Sequence, residues 1–205
     1  MPEAFAPLPR VGAWRHVGAY EGHEVVRFTT DGGAIVLEGT SVGVEDGMPW
    51  TIDYRIEVNS DWHARAATLR DHLGTTVEIE TDGSGAWTVN GEPRPDLDGC
   101  LDIDLEASVV TNTLPVHRLA LSIGQRGESS AAYLRTVGLE VERLDQTYER
   151  LADDGDQRRF DYASPRFGYR DVLAFEADGL TLSYPGIGER IPLTGGSSDK
   201  KLIAG

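Results

Sequence analysis

Cysteine is nearly absent from this chain, and this limits how the fold can be held together. The sequence contains a single cysteine, Cys100, so no disulfide bond can form within the chain. One thiol in 205 residues is typical of proteins from a reducing compartment. Residues 1–14 also lack the basic region and the continuous apolar stretch of a signal peptide. We therefore expect a cytoplasmic protein.

Basic residues are also scarce. The chain has 19 lysines and arginines against 34 aspartates and glutamates, a formal net charge of −15. Nucleic acids and anionic membranes bind clusters of lysine and arginine, so we expect neither as the main partner. No apolar run approaches the roughly 18 residues of a membrane-spanning helix, so no integral membrane segment is expected.

The familiar sequence signatures of catalysis are missing. The chain has no phosphate-binding Walker loop, no dinucleotide-binding fingerprint and no G-x-S-x-G nucleophile elbow. Its five histidines are scattered, and no two of them have the spacing of a metal-binding pair. We therefore expect no metal and no cofactor.

Helix signals are few, whereas strand and turn signals recur along the whole chain. Twenty-four glycines and ten prolines disfavour long helices. Residues 51–58 alternate polar and apolar side chains, and Asn90-Gly91 is a strong hairpin turn signal. A first hairpin is expected to turn at Glu21-Gly22, and residues 145–153 are compatible with a helix or a strand. The pattern predicts an all-β fold, or a β-rich fold with one or two short helices: an antiparallel meander, sandwich or barrel.

We expect one domain. No internal repeat and no linker-like segment divides the chain, so residues 1–193 are predicted to form a single β-rich domain. The glycine- and serine-rich composition of residues 194–205 predicts a flexible C-terminal tail.

The stretch at residues 97–121 is the most unusual part of the sequence. Residues 101–106 alternate apolar and acidic side chains, which predicts a strand with Asp102, Asp104 and Glu106 on one face. Three neighbouring carboxylates repel one another unless they are solvated, paired with arginine or bound to a cation. A solvated outer face is the simplest interpretation.

After this strand the pattern changes. Ser108 is expected to cap one helical turn that runs through Thr113, and Pro115 is expected to help end it. A strand is then predicted to resume at residues 117–121.

Several residues of the stretch are predicted to have structural roles. Cys100 is expected to be a buried, inert thiol, because no nearby histidine or helix N-terminus would lower its pKa. The amide of Asn112 is expected to bond backbone groups, and Arg118 to pair with Asp102 or Asp104. The full predicted structural motif is Asp98, Cys100, Asp102, Asp104, Thr111, Asn112 and Pro115.

Two segments of the stretch resemble a known family signature. LDGCLDIDL and TNTLPVHRL resemble the signature of a bacterial family called putative glycolipid-binding. The chain departs from the common pattern at Val109-Val110, where an aromatic often stands, and at His117, where an arginine is usual. Further matches follow in order at Trp14, Glu38-Gly39, Trp87, Gln146-Thr147-Tyr148, Arg159-Phe160-Asp161-Tyr162, Asp178-Gly179-Leu180 and Tyr184-Pro185.

This resemblance implies a single, strongly curved antiparallel sheet, a half-barrel similar to the periplasmic lipoprotein-localisation carriers, which hold acyl chains. It also implies non-enzymatic binding of a small amphiphile, a glycolipid or other lipid, in the concave face. We expect an elongated, mainly apolar hollow there, with polar contacts to a head group from Arg118 or Gln146. The predicted ligand-binding residues are Trp50, Trp62, Trp87, Arg118, Gln146, Tyr148 and Tyr184.

Three other interpretations remain open. Plain core packing also explains the aromatic residues and is the simpler interpretation of them. The carboxylates of residues 98–106 could serve a sugar-processing enzyme, since glycoside chemistry uses two carboxyl groups roughly 5–9 Å apart. Exposed aromatics could also form the interface of an oligomeric structural protein. A deep polar pocket with two converging carboxylates would favour the enzyme, whereas a ligand that co-purifies without turnover would favour binding.

Overall fold

The computed structural model describes residues 4–18, 20–83 and 85–193, and the predicted tail at 194–205 lies outside them. Within these residues, fifteen strands form one sheet and one short α-helix packs on it. Helix α1 spans Thr113–Leu119, and 3₁₀ turns span Pro95–Leu97, Val110–Asn112 and Pro165–Phe167. The strands are β1 (Val11–His16), β2 (Glu21–Asp31), β3 (Ala34–Glu45), β4 (Met48–Val58), β5 (Ala64–Asp71), β6 (Thr76–Thr81), β7 (Trp87–Val89), β8 (Glu92–Pro93), β9 (Asp102–Leu105), β10 (Arg126–Leu134), β11 (Val141–Arg150), β12 (Arg158–Ser164), β13 (Tyr169–Phe175), β14 (Thr181–Tyr184) and β15 (Gly188–Arg190).

The first and last strands of the chain are neighbours in the middle of the sheet. The strand order is β8-β7-β6-β5-β4-β3-β2-β1-β15-β14-β13-β12-β11-β10-β9. Neighbouring strands are antiparallel except for the parallel pair β9–β10. Among the described residues, β8 and β9 are the two free edges, so the sheet is not closed into a barrel. The predicted all-β fold with a single curved sheet is confirmed.

The connection between the two edges explains why the sheet curves. Residues 94–101 join the end of β8 to the start of β9. At about 3.6 Å per residue, this connection reaches roughly 32 Å at most. A flat sheet of fifteen strands spaced about 4.8 Å apart would place its edges roughly 67 Å from each other. The chain can therefore bridge the two edges only if the sheet bends strongly.

Strand β9 lies in the interior, and the predicted solvated acidic face is wrong. Asp102 and Asp104 are both buried, and so are Ile103 and Leu105 on the opposite face. The apolar side chains of β9 join the main core, while the segment that includes α1 covers the acidic side. The two carboxylates are tolerated in the interior because hydrogen-bond donors surround them.

Helix α1 replaces the predicted strand at residues 117–121. Pro115 does not end a turn but lies in the first turn of α1, where a missing backbone N–H leaves no hydrogen bond unmade. The helix ends at Leu119, and the next residue, Ala120, adopts a left-handed conformation. Ser108 caps no helix, because its hydroxyl donates to Glu24 instead. Within the described part of the chain, no helix has the length and apolar character to cross a membrane.

Two local expectations are settled by strand pairing. The first hairpin was expected to turn at Glu21-Gly22, but both residues lie inside β2. Gly22 is needed there for close approach, since a Cβ would lie 1.9 Å from the carbonyl oxygen of Val42 on β3. Residues 145–150 belong to strand β11 rather than to a helix.

Candidate functional site

A cavity of about 260 Å³ lies between residues 97–121, called the central stretch below, and the second half of the sheet, with Tyr20 and Glu45 from the first half also in its lining. It combines one aromatic side with one polar side. The aromatic residues are Tyr20, Tyr133, Tyr162, Phe167, Tyr169 and Tyr184. The polar residues are Glu45, Asp104, Glu106, Ser108, Asn112, Arg135 and Ser164, and Leu105, Leu144 and Ile187 complete the lining.

The aromatic side is built by three strands that follow one another in the chain. Tyr162 on β12, Tyr169 on β13 and Tyr184 on β14 meet edge-to-face or tilted, with ring centroids 5.5–5.9 Å apart. Such geometry is favourable for aromatic rings and fixes their orientation. The hydroxyl of Tyr169 donates to the carbonyl oxygen of Pro185 at 2.8 Å, which holds that ring further. These rings offer a preformed apolar surface to a ligand.

Asp104 forms the centre of the polar side. Thr111 Oγ1 donates to one carboxylate oxygen at 2.7 Å, and Gln146 Nε2 donates to the other at 2.7 Å. Gln146 Nε2 also lies 2.9 Å from the hydroxyl of Tyr162. Burial raises the pKa of Asp104 to about 6, against the opposing effect of these donors. The cavity therefore contains an acceptor that gains a proton just below neutral pH.

Arg135 is the basic residue among the described residues that line the cavity. Its guanidinium lies 5.5 Å from the ring centre of Tyr133 and 5.4 Å from that of Phe167. It also donates to Glu106 at 2.8 Å and to Glu142 at 3.1 Å. Its positive charge is therefore already shared between two carboxylates.

Of the predicted ligand-binding residues, Tyr184 lines the cavity. Gln146 lies directly behind the wall through its bonds to Asp104 and Tyr162. Tyr148 is fully buried. Trp50 is one layer removed and packs edge-on against the lining residue Tyr20, with ring centroids 5.1 Å apart.

Three other predicted ligand-binding residues lie away from this cavity. Trp62 stacks on His117 with ring centroids 3.8 Å apart. Trp87 is buried, and its Nε1 donates to the carbonyl oxygen of Cys100 at 3.0 Å. Arg118 pairs with Asp102 in the interior. Each of the three contributes a contact that involves a residue of the central stretch.

Six residues of the predicted structural motif are buried: Cys100, Asp102, Asp104, Thr111, Asn112 and Pro115. Asp102 bonds both Arg118, as predicted, and Ser129. Burial raises the pKa of the Cys100 thiol to about 11, which fits an inert cysteine. Asp98 is exposed, and its backbone carbonyl accepts from Arg143.

Asn112 is buried as predicted, but its partner differs from the expected backbone group. The hydroxyl of Tyr148 donates to Asn112 Oδ1 at 2.8 Å. The partner is a side chain because the 3₁₀ turn that carries Asn112 lies against β11, where Tyr148 points inward.

Four lining tyrosines were absent from the predicted ligand-binding residues: Tyr20, Tyr133, Tyr162 and Tyr169. Tyr133 lies on a strand whose last four residues are all buried, so alternation gave no signal for it. Tyr169 begins a strand directly after a 3₁₀ turn, and Tyr20 lies between β1 and β2. The available signal for these three was a position near the end of a strand, whereas Tyr162 lies inside β12 and was named only in the match to the family signature.

The space left inside the sheet differs from the elongated apolar hollow that was expected. Residues 100–110 and α1 fill much of the interior, because β9 and the residues after it pack on the core of both halves. The cavity that remains is compact and mixed in polarity. No group of three or more metal-ligating side chains occurs in residues 4–18, 20–83 and 85–193.

Comparison with known proteins gives a consistent result. A sequence model of the family described as putative glycolipid-binding matches residues 12–190, which confirms the resemblance of the central stretch. A solved structure of a DUF1089 family protein from Pseudomonas aeruginosa is 30% identical with a TM-score of 0.68, over 92% of this chain and 98% of that one. A β-barrel-like protein of the domain of unknown function DUF1849 from Brucella abortus is similar over the same shares, with a TM-score of 0.53. Its 11% identity shows a common fold alone. No curated protein matches the chain.

Proposed function

The chain belongs to the family described as putative glycolipid-binding, and from this premise we propose that it binds an amphiphile, a glycolipid or other lipid, without transforming it. The binding site in this proposal is the cavity lined by Tyr162, Tyr169 and Tyr184. The single cysteine supports a cytoplasmic location for the activity.

One observation carries the proposal: a single cavity offers both an aromatic surface and convergent polar groups. Sites for small molecules are mostly apolar with a few fixed polar groups that orient the ligand. Here the tyrosine rings supply the apolar contacts, while Asp104 and Asn112 supply the polar ones. Such a pairing suits a head group with an apolar face and several hydroxyls.

The size of the cavity indicates which part of an amphiphile it would hold. Its volume of about 260 Å³ lies just below the usual range of about 300–1,000 Å³ for ligand pockets. It would accept one ring-sized group rather than a whole glycolipid. Phe167 at the rim is 45% exposed. Its ring would contact the first carbons of an acyl chain that leaves the cavity.

The test is displacement of an environment-sensitive fluorescent lipid by glycolipids and fatty acids. We expect at least one amphiphile to bind below about 100 μM, an affinity of roughly 5.5 kcal/mol. Tyr169→Ala should weaken binding about threefold to tenfold, because it removes an aromatic contact worth about 0.5–1.5 kcal/mol.

Trp62→Ala is the matched control, since Trp62 is a half-buried aromatic residue outside the cavity. Its affinity should equal that of the wild type. If Tyr169→Ala and Trp62→Ala lose the same affinity for the amphiphile, the binding site is not this cavity. If no amphiphile binds, the proposal of a carrier is wrong.

A second candidate function, hydrolysis of a glycoside, is favoured by the carboxylates in the cavity. Asp104 and Glu106 both line it, and the raised pKa of Asp104 suits a general acid. Against this, Glu106 is held by Arg135 and by the backbone N–H of Thr136. Incubation with glycolipid followed by mass spectrometry distinguishes the two: released sugar supports the enzyme, and intact ligand supports the binder.

A further inference from the structure

The carboxylates of residues 102–106 differ in whether a basic residue neutralises them. Arg118 Nε donates to Asp102 at 2.9 Å, and Arg135 Nη1 donates to Glu106 at 2.8 Å. Asp104 lies between these two acidic residues in the sequence and is 9% exposed. No basic residue in the described part of the chain forms an ion pair with it. Buried charges in proteins are ordinarily paired, so Asp104 lacks the counter-ion that its two neighbours have.

The hydrogen-bond partners of Asp104 are neutral. Thr111 Oγ1 donates to one carboxylate oxygen and Gln146 Nε2 to the other, both at 2.7 Å. Each oxygen of a carboxylate can accept about two hydrogen bonds, so lone pairs remain for a further partner. Burial raises the pKa of Asp104 more than these two donors lower it, as expected for a carboxylate without a counter-ion. Because Asp104 lines the cavity, a ligand there can reach it.

Three tyrosine rings line the same cavity as Asp104. Gln146 Nε2 links Asp104 to the first of them, since it also lies 2.9 Å from the hydroxyl of Tyr162. The rings of Tyr169 and Tyr184 pack against that of Tyr162, with centroids 5.9 and 5.7 Å away. Aromatic faces attract an organic cation that lies within about 6 Å of the ring centre. The cavity therefore combines an unneutralised carboxylate with the kind of aromatic surface that binds ammonium groups.

Arg135 is not free to neutralise Asp104. It donates to Glu106 at 2.8 Å and to Glu142 at 3.1 Å. Its guanidinium also lies 5.5 Å from the ring centre of Tyr133 and 5.4 Å from that of Phe167. An anionic head group would be repelled by Asp104, and a neutral one would leave its charge uncompensated. A cationic head group supplies the missing partner.

Resting on the proposed function, we propose that the amphiphile carries an organic ammonium head group, which Asp104 binds as counter-ion and the three tyrosine rings surround. The carboxylate attracts the positive nitrogen, while the methyl or methylene groups on that nitrogen pack on the rings. Glu45, an exposed lining residue, adds a second negative charge. The net charge of −15 also attracts cations toward the protein.

The experiment compares three probes with the same eight-carbon chain: octyltrimethylammonium, octyl glucoside and octyl phosphate. Isothermal titration is carried out in about 0.15 M salt, which screens exposed surface charges. Octyltrimethylammonium should bind at least about tenfold more tightly than octyl glucoside, and octyl phosphate should bind most weakly. This wild-type series decides the inference without a variant: a glucoside or phosphate that binds as tightly as the ammonium overturns it.

Asp104→Asn tests the counter-ion directly. The fold should be kept, because the new amide can accept from Gln146 and donate to the hydroxyl of Thr111. Urea denaturation checks this. The variant should bind octyltrimethylammonium about tenfold or more weakly and keep the wild-type affinity for octyl glucoside, so the preference for the cation is lost. A folded variant that keeps the preference overturns the inference.

Asp53→Asn is the matched control. Asp53 also accepts from a threonine hydroxyl, that of Thr40 at 2.6 Å, but it is exposed and does not line the cavity. The variant makes the same change in net charge and should keep the wild-type affinity for all three probes. An equal loss of octyltrimethylammonium affinity in the Asp53 and Asp104 variants would overturn the inference, because general surface charge would then explain the binding.

Tetramethylammonium separates this inference from the function on which it rests. We expect it to bind more weakly than octyltrimethylammonium, because it lacks the acyl-like chain. If it binds as tightly, the cavity takes a free organic cation: the ammonium site stands and the proposed amphiphile is wrong. If octyl glucoside alone binds, the amphiphile stands and the ammonium inference is wrong. If no probe binds, both are wrong.

Discussion

At the scale of single residues, the carboxylate of Glu24 joins β2 to the chain that follows β9. It accepts hydrogen bonds from the hydroxyls of Tyr54 and Ser108 and from the backbone N–H groups of Val109 and Val110. Burial raises its pKa, and the four donors oppose that rise. We predict that Glu24→Gln lowers the free energy of unfolding by about 2–4 kcal/mol, because the new amide N–H₂ would face donors.

Urea denaturation measures this loss, and Tyr54→Phe is the graded control. That variant removes one of the four donors and keeps the ring, so its cost should be about 1–2 kcal/mol. A Glu24→Gln protein with the wild-type midpoint would show that the carboxylate contributes nothing to stability.

Asp104 gives a pH-dependent prediction at the same scale. Its pKa is raised from 3.8 to about 6 in the folded state, so the folded protein binds this proton more tightly than the unfolded chain does. The stability that protonation of Asp104 contributes is therefore fully present below pH 4, and it is lost as the pH rises through 6. The loss is about 3 kcal/mol at about 1.4 kcal/mol per pKa unit.

Asp104→Asn isolates this contribution from the other titrating groups. The stability of the wild type relative to this variant should decrease between pH 4 and pH 7 and stay constant above pH 7. Unfolding midpoints at several pH values measure it. A difference that is flat or increases with pH would contradict the raised pKa.

At the scale of elements, alternation predicted strands with one buried face but not the helix. Strand β4 and strand β11 both show the expected two-residue burial period. Helix α1 has seven residues, including Pro115 and two β-branched side chains, so its intrinsic propensity is low. Val116 packs on the aromatic residues of β11 and β12, and it is this tertiary contact that stabilises the helix. Such a contact leaves no periodic signal.

The bond between Asn112 and Tyr148 fastens the helical segment to β11, and it gives a prediction for that contact. Asn112→Ala leaves the buried Tyr148 hydroxyl without its acceptor, so it should cost about 1–3 kcal/mol. Tyr148→Phe removes the stranded donor. The double variant should therefore cost less than the sum of the two single variants, with a coupling of about 1 kcal/mol. Urea denaturation measures these losses in the free energy of unfolding. If the loss in the double variant equals the sum of the two single-variant losses, the two residues act independently.

The candidate site shows where sequence reasoning ends. Asp104 was identified from the central stretch, but its position at the cavity depends on the covering segment that carries Thr111. Trp62 was expected near the ligand, yet a left-handed backbone with φ of 64° directs it onto His117. Tyr20 and Tyr133 lie more than a hundred residues apart in the chain and meet only through the curvature of the whole sheet. No local pattern encodes that meeting.

At the scale of the whole molecule, the pairing of β1 with β15 makes the two halves of the sheet depend on each other. Gly188 on β15 pairs with His16 on β1 and with Tyr184 on β14. A Cβ at this position would lie 2.5 Å from Val109 Cγ2, a fully buried methyl group of the central stretch. Sheet halves and central stretch therefore meet at one residue. We propose that residues 1–193 unfold as a single cooperative unit for this reason.

Gly188→Ala tests that cooperativity. The clash with Val109 should lower the free energy of unfolding by about 1–3 kcal/mol. All four tryptophans lie between residues 14 and 87, so their fluorescence reports on the first half of the sheet, while amide hydrogen exchange in β11 and β12 reports on the second. Both probes should report the same loss in the free energy of unfolding. Val25→Ala, on the exposed side of β2, is the control and should change stability by less than about 0.5 kcal/mol. A loss confined to one probe would show that the halves unfold separately and that β1 and β15 join two independent units.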